Sequence, residues 1–285
     1  MRVDAHHHFW DPTKYHYPWM EGAALDPIRR AFGPADLEVE LTHAGIDGSV
    51  LVQTVSSESE TREFLRIAEA TDFVMGVVGW VDLTSEDVGE RLDALMASTG
   101  GRWLVGIRHQ VHDEDDARWL CREDVRRGLR AVQTRNLTYD LLVRAREIPA
   151  AIETVNALPD LQFVVDHIAK PTINAGSDAT WAVGMEQFSA SPNVSVKLSG
   201  MVTEADWVHW TVADLRPFVA HVREWFGIER LMYGSDWPVC LLAANGYSDV
   251  LDATREALAE LSDYEAQAVF GANAQEFYGL ASGGR

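Results

Sequence analysis

Cysteine is nearly absent. The 285-residue chain holds only Cys121 and Cys240, far apart, which argues against a disulfide framework and against a zinc site built on thiolates. Basic charge is also scarce: 24 Lys and Arg stand against 44 Asp and Glu, for a formal charge of -20. A chain so acidic is a poor partner for nucleic acid or an anionic membrane, and no basic stripe interrupts it. No apolar run reaches the roughly 18–20 residues of a membrane span. The first residues lack the basic-then-apolar pattern of a signal peptide. Low-complexity tracts, internal repeats and linkers are missing, and no glycine-rich phosphate loop follows the first strand-like stretch, where a doubly wound fold would carry one. What remains is the expectation of a cytoplasmic protein of one domain, residues 1–285, acting on a small molecule as a monomer or homo-oligomer. With 47% hydrophobic residues, a large single core is within reach.

What is present is alternation. Short apolar, β-branched runs near residues 2, 49, 74, 104, 138, 162, 194 and 230 read as strands. Between them, apolar spacing of three and four reads as helices over 36–44, 60–70, 86–96, 123–132, 149–158, 181–190 and 207–226, the last interrupted or restarted at Pro217. Three more follow at 248–261, 263–270 and 272–278, and the tail Ser282–Arg285 reads as frayed. Eight strand–helix units in this length fit an α/β fold of the (β/α)8 (TIM) barrel type.

Chemistry gathers at the strand ends, where such a barrel carries its active site. Arg2-Val3-Asp4-Ala5-His6-His7-His8 is a strand that ends in histidines. Period-two alternation puts His6 and His8 on one face and His7 on the other. Further strand ends offer Gln53, Trp80 with Asp82, Arg108 with His109, Tyr139 with Asp140, His167, Lys197 with Ser199, and Asp236. The sharpest set is His6, His8, His167 and Asp236. Three imidazoles and a carboxylate suit either one divalent metal, zinc first, or a metal-free hydrogen-bonding cage in which Asp236 is the general base. Arg108 reads as a substrate clamp or as half of a structural ion pair. Lys197 reads as a substrate ligand or as the partner of Asp140 or Asp166. His109 needs a loop conformation to reach the site, because strict alternation turns it away from Arg108. Trp80, Tyr15 and Trp19 read as aromatic walls for a sugar-sized ring. His16, His43, His112, His209 and His221 read as ordinary surface residues.

Three segments carry a resemblance: Asp4-Ala5-His6-His7-His8-Phe9-Trp10, Asp166-His167-Ile168-Ala169-Lys170-Pro171 and Tyr233-Gly234-Ser235-Asp236-Trp237-Pro238. Together with Gly106-Ile107-Arg108-His109, Lys197-Leu198-Ser199-Gly200 and the stretch from Gly271 to Gly279, they resemble the amidohydrolase superfamily, in its branch of sugar-lactone hydrolases. The resemblance implies the (β/α)8 barrel and hydrolysis of an aldono-lactone such as L-fucono- or L-rhamnono-lactone. It implies that Asp236 activates water and that His6, His8 and His167 polarise the carbonyl, with a metal between them or without. A zinc-dependent decarboxylase and a hydrolase of a dicarboxylated pyrone lactone are the enzyme alternatives, and a catalytically silent binding barrel is the third. Both enzyme alternatives need cationic clamps in which the chain is poor.

Overall fold

In the computed structural model, which describes residues 1–281, the eight expected strands are β1 Val3–His7, β2 Gly48–Val52, β3 Val74–Gly79, β4 Leu104–His109, β5 Thr138–Leu141, β6 Phe163–Val165, β7 Val194–Leu198 and β8 Leu231–Tyr233. They form one parallel sheet in chain order. A parallel bridge between His7 and Trp237 brings the segment after β8 back to β1. That is the closed (β/α)8 arrangement.

Between the strands run α1 Pro34–Ala44, α2 Glu58–Ala70, α3 Val88–Met96, α4 Glu123–Gln133, α5 Ile148–Ala157, α6 Ala179–Ser189 and α7 Val212–Phe226, followed by α8 Tyr247–Ala257, α9 Asp263–Gln267 and α10 Asn273–Tyr278. Two expectations need correction. Residues 207–211 are not helical, and α7 runs through Pro217 without a restart. Its start is set by a capping box, in which the Asp214 carboxylate accepts from the Thr211 amide at 2.7 Å. The frayed-tail expectation for Ser282–Arg285 lies outside the described residues. Among the described residues, no helix is long and apolar enough to cross a membrane.

The core has two layers. Phe64, Leu65, Leu92, Leu129, Val155 and Phe188 pack between sheet and helices. Inside the barrel, Val3, Ala5, Val50, Val52, Val78, Val164 and Met232 meet Ala274, Tyr278 and Leu280. Helix α10 therefore closes the floor, beneath the amino ends of the strands, and Tyr278 sends its hydroxyl upward to donate to Asp140 at 2.9 Å.

One irregularity in β1 aims the histidines. Asp4 pairs with Ser49 and His7 with Leu51, so three steps on β1 oppose two on β2. Val3 and Ala5 face the barrel interior, so strict alternation would send His6 and His8 outward. The extra residue of this bulge shifts the parity, turning His6 and His8 into the barrel. His7 goes outward, where its Nε2 meets Ser49 Oγ at 2.9 Å.

Candidate active site

Each of the four central side chains is held by its neighbours. His6 fits because residue 234 is glycine: a Cβ there would lie 2.7 Å from His6 Cβ. His8 places Nδ1 2.7 Å from the Val52 carbonyl. Asp236 takes a left-handed backbone, φ 56°, after a turn clamped by Asp4. Asp4 accepts from the Ser235 amide at 2.9 Å, the Ser235 hydroxyl at 2.6 Å and the Tyr247 hydroxyl at 2.9 Å. His167 opens a run of four left-handed residues, His167 to Lys170, with φ between 47° and 59°. None is glycine, so each position is strained by roughly 1–2 kcal/mol and must be held by its surroundings. The His167 ring sits 2.9 Å from Ser199 Oγ, over Gly200, where a Cβ would lie 2.6 Å from its Nδ1.

These supports bring the acceptors together. His6 Nε2 is 3.2 Å from His8 Nε2. Asp236 Oδ1 is 3.3 Å from His8 Nε2, 3.8 Å from His6 Nε2 and 3.9 Å from His167 Nε2. A carbonyl can only accept, so neutral His8 carries its proton on Nδ1 and presents a bare Nε2. His6 Nε2 accepts from Arg108 Nη1 at 3.2 Å. Lone pairs of two imidazoles and a carboxylate thus converge, and only a proton or a cation relieves that arrangement. Donor atoms of His6, His167 and Asp236 all lie within 4.8 Å of one another, and the donor set is the nitrogen-and-carboxylate chemistry of zinc. The residues therefore fit one divalent metal, with His8 adjoining. A metal on His6 Nε2 competes with Arg108 for that lone pair.

Burial drives His6 and His167 well below the usual imidazole range and lowers His8. Burial opposes ionisation of Asp236, but the charges of His167, His8 and Lys170 outweigh it and hold the carboxyl below its ordinary value, and once the imidazoles are neutral Lys170 is the cation that remains among them. The centre is thus neutral imidazoles around an ionised carboxylate, as both a metal ligand set and a general base require.

A charged layer lies beneath. Lys197 Nζ is 2.5 Å from Asp140 Oδ2, 3.0 Å from Asp166 Oδ1 and 3.1 Å from His6 Nδ1. His6, Asp140 and Asp166 form a second trio within metal-ligand distance of one another, and the ammonium fills it. Arg108 pairs with Asp166 Oδ2 at 3.0 Å. It spends its remaining N–H groups on His6 Nε2, the Gln53 backbone carbonyl and the Gln53 side chain. Two buried cations balance two buried carboxylates, which leaves Asp236 as the unbalanced anion above.

The cavity over this centre has a volume of about 150 Å³ and is bounded by His8, Trp19, Arg108, His112, His167, Lys170 and Asp236, among others. Drug-sized pockets run to roughly 300–1,000 Å³, so this one suits a single small ring. Larger cavities of about 600 and 650 Å³ exist near Tyr15 and near Arg2, but neither holds a convergent ionisable set.

The structure does not bring every expected residue here. Tyr15 lines other cavities. Trp80 donates its indole N–H to His109 Nδ1 at 3.0 Å, and His109 Nε2 meets Glu114 at 2.8 Å while its ring stacks on Trp119. His109 belongs to the layer outside the strands, as strict alternation with Arg108 requires; Trp80, which alternation with Val78 would turn inward, follows the end of β3 and bonds to His109 instead. Lys197 has no exposed surface and lies below the cavity. Trp19 does line it, its indole N–H donating to the Thr54 carbonyl at 3.1 Å. His112 is no ordinary surface residue: it too lines the cavity. Sequence reasoning passed over Lys170, Asp4 and the bridging role of Asp166, although all three lie inside the segments that carry the resemblance.

A (β/α)8 barrel with three neutral imidazoles and an ionised aspartate at its mouth is an enzyme of the hydrolytic type. The sequence model of one such family, amidohydrolase, matches residues 3–280. The chain belongs to that family. It is 38% identical over 280 residues to an L-fucono-1,5-lactonase of Burkholderia ambifaria, covering 97% of this chain and 95% of that one. It is 36% identical over 296 residues to an L-fucono-1,5-lactonase of Burkholderia multivorans, covering 98% and 96%. A crystal structure of an amidohydrolase from Burkholderia multivorans with bound zinc superimposes with a TM-score of 0.92 at 32% identity, covering 99% of this chain and all of that one.

Proposed function

We propose that the protein hydrolyses the lactone of a sugar acid, with L-fucono-1,5-lactone the first substrate to test. One observation carries the mechanism: an ionised carboxylate, Asp236, stands 3.3 Å from the bare nitrogen of His8 in a small cavity. Full-length similarity to two L-fucono-1,5-lactonases supports the choice of substrate.

Asp236 takes a proton from water as the water oxygen bonds to the lactone carbonyl carbon. His167, whose Nδ1 can accept from Ser199 Oγ, can donate from Nε2 to the carbonyl, whose oxygen becomes negative in the tetrahedral intermediate; the bare Nε2 atoms of His6 and His8 adjoin Asp236 and donate nothing themselves. Collapse of that intermediate breaks the ring C–O bond, and the leaving alkoxide stays tethered. Protonated Asp236 returns its proton to it, since His109 is turned away. The product is the open hydroxy acid, and Asp236 is again a carboxylate. A divalent metal held by His6, His167 and Asp236, with His8 beside them, would supply a Lewis acid for the carbonyl and acidify bound water. A decarboxylase or a pyrone-dicarboxylate hydrolase would hold its anionic substrate with several cations, and with the donors of Arg108 committed below the cavity Lys170 is the one cation with unused donors in this lining.

Proton release from a panel of aldono-lactones, measured without added metal and then with Zn2+, tests this reading. Rapid hydrolysis of a deoxy-sugar lactone is expected, falling about 10²–10⁴-fold in Asp236→Asn, the usual worth of a positioned base. No hydrolysis of any lactone in either condition would overturn it.

A further inference from the structure

We infer that Lys170 is a substrate-binding residue, its ammonium donating to the hydroxyls of the lactone and, more strongly, to the carboxylate of the opened product. The inference rests on the lactonase reading.

Arg108 looks like the natural clamp, yet every one of its N–H groups already has a protein partner. Lys170 is differently placed. The left-handed turn is closed by the Lys170 amide donating to the His167 carbonyl at 2.8 Å. The side chains at its two ends, His167 and Lys170, line the same cavity. An L-chain adopts four such residues in succession only under constraint, and here the result is a cation set beside a catalytic imidazole. Lys170 Nζ donates to Glu204 Oε1 at 2.6 Å, and Glu204 Oε2 is held in turn by Arg144 at 3.2 Å. One N–H of the ammonium is thus anchored. Among the described residues no other side chain or carbonyl takes the remaining two. An ammonium has three donors and no acceptor, so its unused side matches oxygen-rich ligands.

The chemistry of the reaction gives this cation a direction. The lactone is neutral and the product is an anion, formed in a cavity of only about 150 Å³. A lysine in that wall attracts the product more than the substrate. It therefore sets affinity for both and takes no part in proton transfer, which stays with Asp236.

The test compares wild type with Lys170→Gln and Lys170→Arg, using L-fucono-1,5-lactone as substrate and the matching aldonate as inhibitor. A charge-assisted hydrogen bond is worth about tenfold to a hundredfold in affinity. In Lys170→Gln, KM and the aldonate inhibition constant are expected to rise at least tenfold, the inhibition constant more than KM, with the loss in kcat/KM carried mainly by KM. Lys170→Arg should restore part of both. If Lys170→Gln fails to fold, Lys170→Asn, whose side chain tolerates the left-handed backbone, replaces it. Wild-type turnover with unchanged KM and inhibition constant in the folded variant overturns this assignment alone. No turnover by wild type overturns the lactonase reading and this assignment with it.

Discussion

Gly234 and His6 are in direct opposition: a Cβ on residue 234 would lie 2.7 Å from the Cβ of His6 and 3.2 Å from its amide nitrogen. The bulge that turns His6 inward and the glycine two residues before Asp236 are one device. Neither partner can yield, because the nearest atoms are backbone and Cβ. Gly234→Ala is expected to cost about 1–3 kcal/mol, the usual range for overpacking, and to move His6 away from His8. Urea unfolding measures the first effect. A fall in kcat that persists at saturating substrate measures the second.

Lys197 is the cation that makes the floor of the site possible. Lys197→Met leaves Asp140 and Asp166 buried, with only Arg108 nearby for one of them. Removing one member of a buried ionic network costs about 3–5 kcal/mol. The variant should unfold at clearly lower denaturant concentration than wild type, and kcat should fall because His6 loses a neighbour at 3.1 Å. Unchanged stability would mean that the ammonium does not neutralise this layer.

Glu60 predicts a pH dependence of stability. Its carboxylate accepts from the Thr54 amide at 2.9 Å and the Val55 amide at 3.2 Å, tying the loop after β2 to α2. Burial raises it from 4.5 to about 7, against the pull of those donors. The folded state therefore favours the protonated form. The contribution of Glu60 is full below pH 4.5 and is lost as pH rises through about 7. The stability difference between wild type and Glu60→Gln should slope across that window, the variant gaining relative to wild type as pH rises. A difference that stays flat from pH 4.5 to 8 would refute it.

The (β/α)8 pattern was legible because parallel strands and amphipathic helices write different periods into the chain. Period two also told correctly that His6 and His8 share a face and that His109 turns from Arg108. It could not tell which face. Val3 and Ala5 are core residues, and only the pairing of Asp4 with Ser49 and His7 with Leu51 reveals the added residue. A bulge has no letter of its own in this sequence. The turn at His167–Lys170 was hidden for a similar reason. Ile168 and Ala169 are poor left-handed residues, so nothing local announces the conformation that sets Lys170 beside His167. Trp80 and Tyr15 show the opposite failure: aromatic character near a strand end or in a loop marks packing as readily as a ligand wall.

The closure of β8 on β1 also governs when the site can come into being. His6 leaves the ribosome well before Asp236 does. At about 5–20 residues per second, the 230 additions that lead from residue 6 to residue 236 take roughly 10–50 s. During that time Asp140 and Asp166 are synthesised before Lys197, and Tyr278 arrives after all of them. A nascent chain that stops before Lys197 carries both anions with only Arg108 to set against them. Activity is therefore withheld until Asp236 has been made, and the mouth and floor of the barrel are completed by one stretch, from β8 to α10.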